Sequence, residues 1–194
     1  MAEKTELNFE SVFNEGSVPT LDEVLENREK RVAFIKKLLS AYPECSIISF
    51  KLNIPGPVKN NLFITKLFKA GLKHISNCIK NEKWEEIYTK TMDLKTGPEY
   101  FSAIPAPAKD IKTKMLCIEE NTNLGRLFDI DILYKENGDL KQISRENLGY
   151  RSRKCLVCQA DAKQCAGSRV HTLSSIQKNI WEIILSETDI FQQK

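Results

Sequence analysis

Asp129 and Asp131 stand one residue apart in NLGRLFDIDILY (123–134), inside a run of strand-forming apolar residues. In a strand, residues two apart share a face. The two carboxylates therefore project the same way from Cα atoms roughly 6.5–7 Å apart. Held that close, they repel unless a cation lies between them. Mg²⁺ takes oxygen ligands and commonly uses one or two carboxylates together with substrate phosphates. Such ions stabilise the attacking and leaving oxygens of an in-line displacement. The competing reading is a strand with one wet face, where aspartate is ordinary apart from its poor strand propensity.

Charge around the pair favours the first reading. From Lys141 to His171, seven Lys/Arg, including Arg145, Arg151 and Arg153, face only Glu146 and Asp161. Arg126 lies just before the pair. A basic tract beside two carboxylates suits a polyanionic substrate such as a phosphate ester. A second cluster follows in CLVCQADAKQCAGSRVH, with Cys155, Cys158, Cys165 and His171 spaced C-x₂-C-x₆-C-x₅-H. Three thiolates and an imidazole make an acceptable tetrahedral Zn²⁺ set. Reduced thiols beside a histidine that contacts phosphate, or acts as a general base, are the alternative. A redox reading of C-x-x-C needs a thioredoxin-type βαβ context that this position lacks.

These side chains need elements to hold them. Residues 1–19 show no sustained apolar period and read as a loose lead-in. Thr20, with Asp22 and Glu23 after it, signals a helix N-terminus. Val24, Arg28, Val32, Ile35 and Leu39 then recur at helical spacing through Ser40. CSIISFKLNIPGP alternates as a strand, with Ile48, Phe50 and Leu52 on one side and Ser49, Lys51 and Asn53 on the other. The prolines of IPGPVKN end it. A helix is predicted over Leu62–Lys80, then strands in WEEIYTKTMDL and EYFSAI. A helix opened by Pro107 follows, then a strand in RLFDIDILY. ENGD is a hairpin turn with an Asn-Gly signal, LKQIS a short return strand, and a last helix starts near Thr172.

After the first helix the order is β-α-β-β-α-β, the ferredoxin-like pattern. The expected architecture is α+β: an antiparallel sheet with helices on one face, plus an N-terminal helix and a C-terminal segment, 151–194, holding the Cys/His cluster and a helix. In such a sheet the first and fourth strands are antiparallel neighbours. Lys51, Asn53, Asp129 and Asp131 would then share its open face, flanked by the loop that carries Lys59.

At 194 residues the chain suits a single domain with a real core. No apolar run approaches a membrane span. The acidic MAEKTELNFE start lacks a signal-peptide apolar region, so a cytoplasmic protein is expected. Six cysteines in that setting argue against a disulfide framework, and Cys45, Cys78 and Cys117 are scattered. A net charge of +3 is too small to indicate nucleic acid.

Taken together, RKCLVCQADAKQCAGSRVH, LGRLFDIDIL and ISRENLGYRSR resemble the apo-citrate lyase phosphoribosyl-dephospho-CoA transferases, as do SFKLNIPGPVKN and TGPEYF upstream. The likeness runs from about Leu21 to the last helix. It implies transfer of the prosthetic group from 2'-(5''-triphosphoribosyl)-3'-dephospho-CoA to a serine of the citrate lyase acyl carrier protein, the gamma subunit, with diphosphate leaving. Asp129 and Asp131 match the family's D-x-D as holders of Mg²⁺. Arg126, Lys59, Arg145, Arg151 and Arg153 are then expected to contact phosphate. GRLFDIDIL also looks like the metal-binding strand of the hydroxymethyl-dihydropterin pyrophosphokinases, a likeness of fold and motif that carries no substrate with it. Two other readings stand beside this one. The first is another Mg²⁺-dependent pyrophospho- or nucleotidyltransferase acting on a small alcohol. The second is a zinc-knuckle nucleic-acid-binding module, which leaves the aspartate pair unexplained.

Overall fold

The computed structural model describes residues 7–187 and 189–192. In chain order its regular elements are α1 (Phe9–Phe13), α2 (Leu21–Ala41), β1 (Ser46–Leu52), α3 (Leu62–Asn81), β2 (Tyr88–Met92), β3 (Glu99–Ile104), α4 (Ala108–Asn121), β4 (Phe128–Glu136), β5 (Asp139–Ile143), α5 (Ala162–Gly167), α6 (Leu173–Leu185) and α7 (Asp189–Gln192). The strands form one antiparallel sheet in the order β2-β3-β1-β4-β5. The fold is α+β, and the β-α-β-β-α-β succession runs from β1 to β4 as the sequence predicts. Between β4 and β5, Asn137 (φ 52) and Gly138 (φ 88) both take the left-handed backbone of a tight hairpin turn.

Strand alternation divides the sheet into two faces. Ile48 and Phe50 of β1, with Phe128, Ile130 and Ile132 of β4, are buried against α3 and α4, where Leu67, Phe68, Ile75, Ile111 and Met115 meet them. α6 seals the same layer with Ile180 and Ile184, both fully buried. The opposite face is not bare, which corrects the expectation of helices on one face only. Ile35, Leu38 and Leu39 of α2 pack on Ile47, Phe101, Ala103 and Leu133 there. The stripe expected for α2 is displaced accordingly, and Val32 is left about half exposed. Only the C-terminal half of α2 offers clustered apolar side chains, so only that half seats on the sheet.

Two further expectations are corrected. The lead-in is not loose where the structure describes it. Asn8 and Ser11 cap α1 reciprocally, Val12 and Phe13 are buried, and the Phe9 ring lies 6.2 Å from that of Trp181 on α6. Asn61 donates from its amide to the carbonyls of Ser11, Val12 and Glu15, tying the segment to the start of α3. Residues 1–6 lie outside the described residues. The strand also starts later than RLFDIDILY suggests, because Asn123–Leu127 is a turn of 3₁₀ helix.

That turn is pressed onto the end of α4. A Cβ on Gly125 would lie 2.4 Å from the Glu119 carbonyl oxygen and 2.6 Å from that of Ile118. Both obstacles are backbone, so the turn itself must move to admit a side chain. Gly125→Ala is expected to cost about 1–3 kcal/mol, and an unchanged urea midpoint would show that the turn is not packed this tightly.

Candidate functional site: the carboxylate face and its arginines

The sheet register builds the centre of the site. Lys51 pairs across β1 and β4 with Asp129, and Ser49 with Asp131, so all four residues lie on the face that α2 covers only in part. The Lys51 ammonium donates to the Asp129 carboxylate and its Nζ lies 4.0 Å from Asp131 Oδ2. Gln142 on β5 donates from its amide to Asp131 Oδ1 at 2.7 Å. Burial, and then the charge of Asp129, push the Asp131 carboxyl above the usual carboxylate range. The pair therefore demands a cation, and a lysine on a flexible stem stands in that place.

Two clefts meet at the pair, and a third adjoins the first. One, of about 420 Å³, holds Asp129, Asp131, Arg145 and Arg153. A second, of about 530 Å³, lies between α2 and the sheet and takes in Lys51, Lys59 and Arg28. Asn53, Asp131 and Gln142 line both, so Asp131 stands on the wall between them. The third, of about 840 Å³, holds Arg126, Arg151 and Lys154 and shares Arg145 and Arg153 with the first.

The arginines are positioned by a residue that sequence reasoning missed. Glu119, on α4, has a side chain only 2 % exposed. β5 ends at Ile143, opposite Ile132, so the outer backbone edge of β4 at Ile130 has no strand partner. Side chains of α4 replace it. Glu119 Oε1 accepts from Ile130 N–H at 3.2 Å, and Lys112 Nζ donates to the Ile130 carbonyl at 2.6 Å. The other carboxylate oxygen, Oε2, takes Arg153 at 2.7 Å and Arg145 at 3.2 Å. Arg153 also donates to the Phe128 carbonyl at 2.8 Å. Both guanidiniums are thus fixed from behind while they line two clefts. Lys112 and Glu119 are seven apart, on a helix side shared with the buried Met115 and Leu116. Charges at the edge of an apolar stripe were the available signal.

The remaining candidates separate. Asn53 joins the carboxylate clefts as expected. Lys59 is drawn below the usual lysine range by burial and donates to the Ile54 carbonyl at 3.1 Å. Arg126, placed by the 3₁₀ turn instead of the strand, donates to the Lys154 carbonyl and lines only the large cleft, as does Arg151. Burial first, and then the neighbouring Arg153 and Arg145, lower its pKa, though an arginine so placed stays charged. His171 lies with the cysteines and lines none of these three clefts. Glu99 was also missed. It is the β3 partner of Lys51, a nearly buried carboxylate held by Asn27 at 2.7 Å and by Arg31 Nε at 2.9 Å.

The second cluster is compact. Ligand atoms of Cys155, Cys158, Cys165 and His171 all lie within 4.8 Å of one another, a group that could hold a metal ion. All six cysteines are free thiols. Among the described residues, no helix is long and apolar enough to cross a membrane.

Comparison with known sequences places the chain in a family. The signature of the family described as apo-citrate lyase phosphoribosyl-dephospho-CoA transferase matches residues 19–187. A probable transferase of that name from Streptococcus pyogenes serotype M18 is 34% identical over 171 residues, covering 88% of each chain. The apo-citrate lyase phosphoribosyl-dephospho-CoA transferase of Citrobacter koseri is 32% identical over 170 residues, 88% of this chain and 90% of that one. A probable transferase from Vibrio cholerae serotype O1 is 34% identical over 165 residues, 84% of this chain and 90% of that one. The match spans both clusters and nearly every element that positions them, and the chain belongs to the apo-citrate lyase phosphoribosyl-dephospho-CoA transferase family.

Proposed function

We propose that this enzyme moves the phosphoribosyl-dephospho-CoA group from its triphosphate-activated precursor to a serine of the citrate lyase acyl carrier protein, the gamma subunit, in the cytoplasm, with release of diphosphate. The observation that carries the reading is Asp131. It stands beside Asp129 on the wall between an arginine-lined cleft and the cleft under α2. An in-line displacement at phosphorus needs its leaving and attacking oxygens on opposite sides. The arginine side suits the departing diphosphate, since Arg145 and Arg153 present guanidinium forks that bind two oxygens at once. The α2 side admits the serine hydroxyl.

The donor set fits Mg²⁺: two hard carboxylates, one of them, Asp131, with a pKa raised by burial first and by its neighbour's charge second. Bound by Asp129 and Asp131, Mg²⁺ supplies charge neutralisation on phosphate oxygens. With the carboxylates so neutralised, the Lys51 ammonium would be free to contact the α-phosphate. Glu119 keeps Arg145 and Arg153 aimed throughout. The larger cleft, with Arg126 and Arg151, takes the diphosphate of the dephospho-CoA body. Cys155, Cys158, Cys165 and His171 would hold a Zn²⁺ ion apart from the carboxylate pair, where it would serve structure and not the transfer. The strand order β2-β3-β1-β4, with β5 added at one edge, supports a ferredoxin-like core.

The test incubates the chain with apo carrier protein, the triphosphate precursor and Mg²⁺, and weighs the carrier by mass spectrometry. A gain of one phosphoribosyl-dephospho-CoA group, with one diphosphate released, is expected. Unchanged carrier mass would overturn the reading.

A further inference from the structure

From Ser144 to His171 the chain runs as a strap over the edge of the carboxylate cleft, and Cys155 is its one buried residue. Apolar anchoring of this segment is slight, with only Leu156 beside Cys155 packed against the core. Yet it carries Arg145, Arg151, Arg153 and Lys154, which line the two phosphate-facing clefts together with Arg126 and Lys112 from outside it. A stretch with so little core needs another source of order, and a bound metal is the common one in small units.

The Cys/His cluster has the chemistry and the geometry for that role. Thiolates 2.3 Å from a tetrahedral Zn²⁺ lie about 3.8 Å from each other. Cys158 and Cys165 sulfurs are 3.4 Å apart. His171 Nε2 is buried with no hydrogen-bond partner, an orphaned atom of the kind that costs stability unless something binds it. The backbone is folded to present the sulfurs. The Val157 N–H points at Cys155 Sγ at 3.4 Å. Cys155 N–H donates to the Ala160 carbonyl at 2.7 Å and Ala162 N–H to that of Arg153 at 2.8 Å, closing the C-x₂-C loop. Asp161 caps α5, which presents Cys165. Four protein ligands leave no open coordination position, the mark of a structural site.

The cluster is also joined to the arginines. Lys154, next to Cys155, accepts from Arg126 through its carbonyl. Arg153, one residue earlier, contacts Glu119 and the Phe128 carbonyl. Arg145 donates to the Arg151 carbonyl at 3.3 Å. We infer that zinc at Cys155, Cys158, Cys165 and His171 is the core of this strap, and that it acts on phosphate binding by fixing where Arg126 and Arg153 lie. The four ligands are positioning residues, set apart from the carboxylate cleft, and among them only Cys155 reaches the wall of the large cleft. The link to phosphate rests on the function proposed above; zinc binding and the order of the strap do not.

The test uses the full chain, purified without a polyhistidine tag. Elemental analysis is expected to find one zinc per chain. Chelation under reducing conditions should speed amide hydrogen exchange across 151–171 while β1 and β4 stay protected. Affinity for inorganic triphosphate with Mg²⁺, measured by calorimetry, should fall about 10-fold as charge-assisted hydrogen bonds lose their geometry. Added zinc should restore both. His171→Cys, which supplies a fourth thiolate, should keep zinc and affinity, and His171→Ala should lose both. Protein that carries no zinc overturns the inference. So does zinc removal that leaves exchange and triphosphate affinity as they were. A carrier protein that gains no mass, with the zinc-dependent exchange as expected, would remove the transfer reaction and leave the zinc-held strap standing.

Discussion

Asp131→Asn is expected to lower transfer by about 10²–10³-fold, the scale seen when one group aimed at developing charge is removed. The variant should nevertheless fold, because the asparagine amide oxygen can still accept from Gln142 and the side chain keeps its shape. Its metal-free form should in fact be the more stable protein at neutral pH. The folded-state pKa of Asp131 is raised, by burial first and by Asp129 second. A carboxyl raised on folding favours the native state while protonated, and that advantage is lost as pH rises through the raised value. At pH 7 the ionised carboxylate is therefore a cost that asparagine lacks. The side chain is 35% exposed, so solvent screening keeps the gain small. A rise of about 1–3 °C in melting midpoint is expected at pH 7, closing toward zero below the ordinary carboxylate range near about pH 4. Near-normal transfer by the folded variant would remove Asp131 from the site.

Glu119→Gln is expected to be the most damaging single change to the fold. Glutamine can still accept from Ile130 N–H, but its amide then meets Arg145 and Arg153 with donors facing donors. Those guanidiniums and Lys112 are left without their buried counter-charge. Breaking a buried ion cluster from one side costs about 3–5 kcal/mol, a large fraction of the ~5–15 kcal/mol that holds a typical domain together. The urea midpoint should drop accordingly, and transfer should fall further than stability explains because both phosphate-facing forks lose their anchor. A midpoint close to that of the unaltered chain would show that solvent, and not Glu119, balances these cations.

Much of this site was legible in the sequence because strand alternation is a short-range property. Asp129 and Asp131 share a face whatever else the chain does, and Ile48, Phe50 and Ile130 define the opposite one. Element order then makes the two strands neighbours, but the register that sets Lys51, and not Asn53, opposite Asp129 comes only with the structure. What escaped were features set by tertiary contact. α1 is five residues long, too short to show a period. α2 reaches the second sheet face with only Ile35, Leu38 and Leu39 fully buried, and an evenly charged helix gives no hint of which face it will meet. Arg126 sits among strand formers, yet the close seating of Gly125 on α4 curls that segment into a turn. Glu119 resembles any acidic residue near a helix end. Its burial arises because β5 is too short to cover Ile130, a fact of register that no local pattern records.

The seating of α6 has a bearing on how the chain is made. Val12 and Phe13 leave the ribosome first, yet the layer they join is completed by Ile180 and Ile184, with Phe9 resting against Trp181. At ordinary elongation rates roughly 10–30 s separate the two. Throughout that interval α3, α4 and the sheet can assemble, but one side of their shared apolar layer stays uncovered. Nascent chains are thus committed to a period of stickiness that ends only when the last long helix arrives, and slower translation lengthens it.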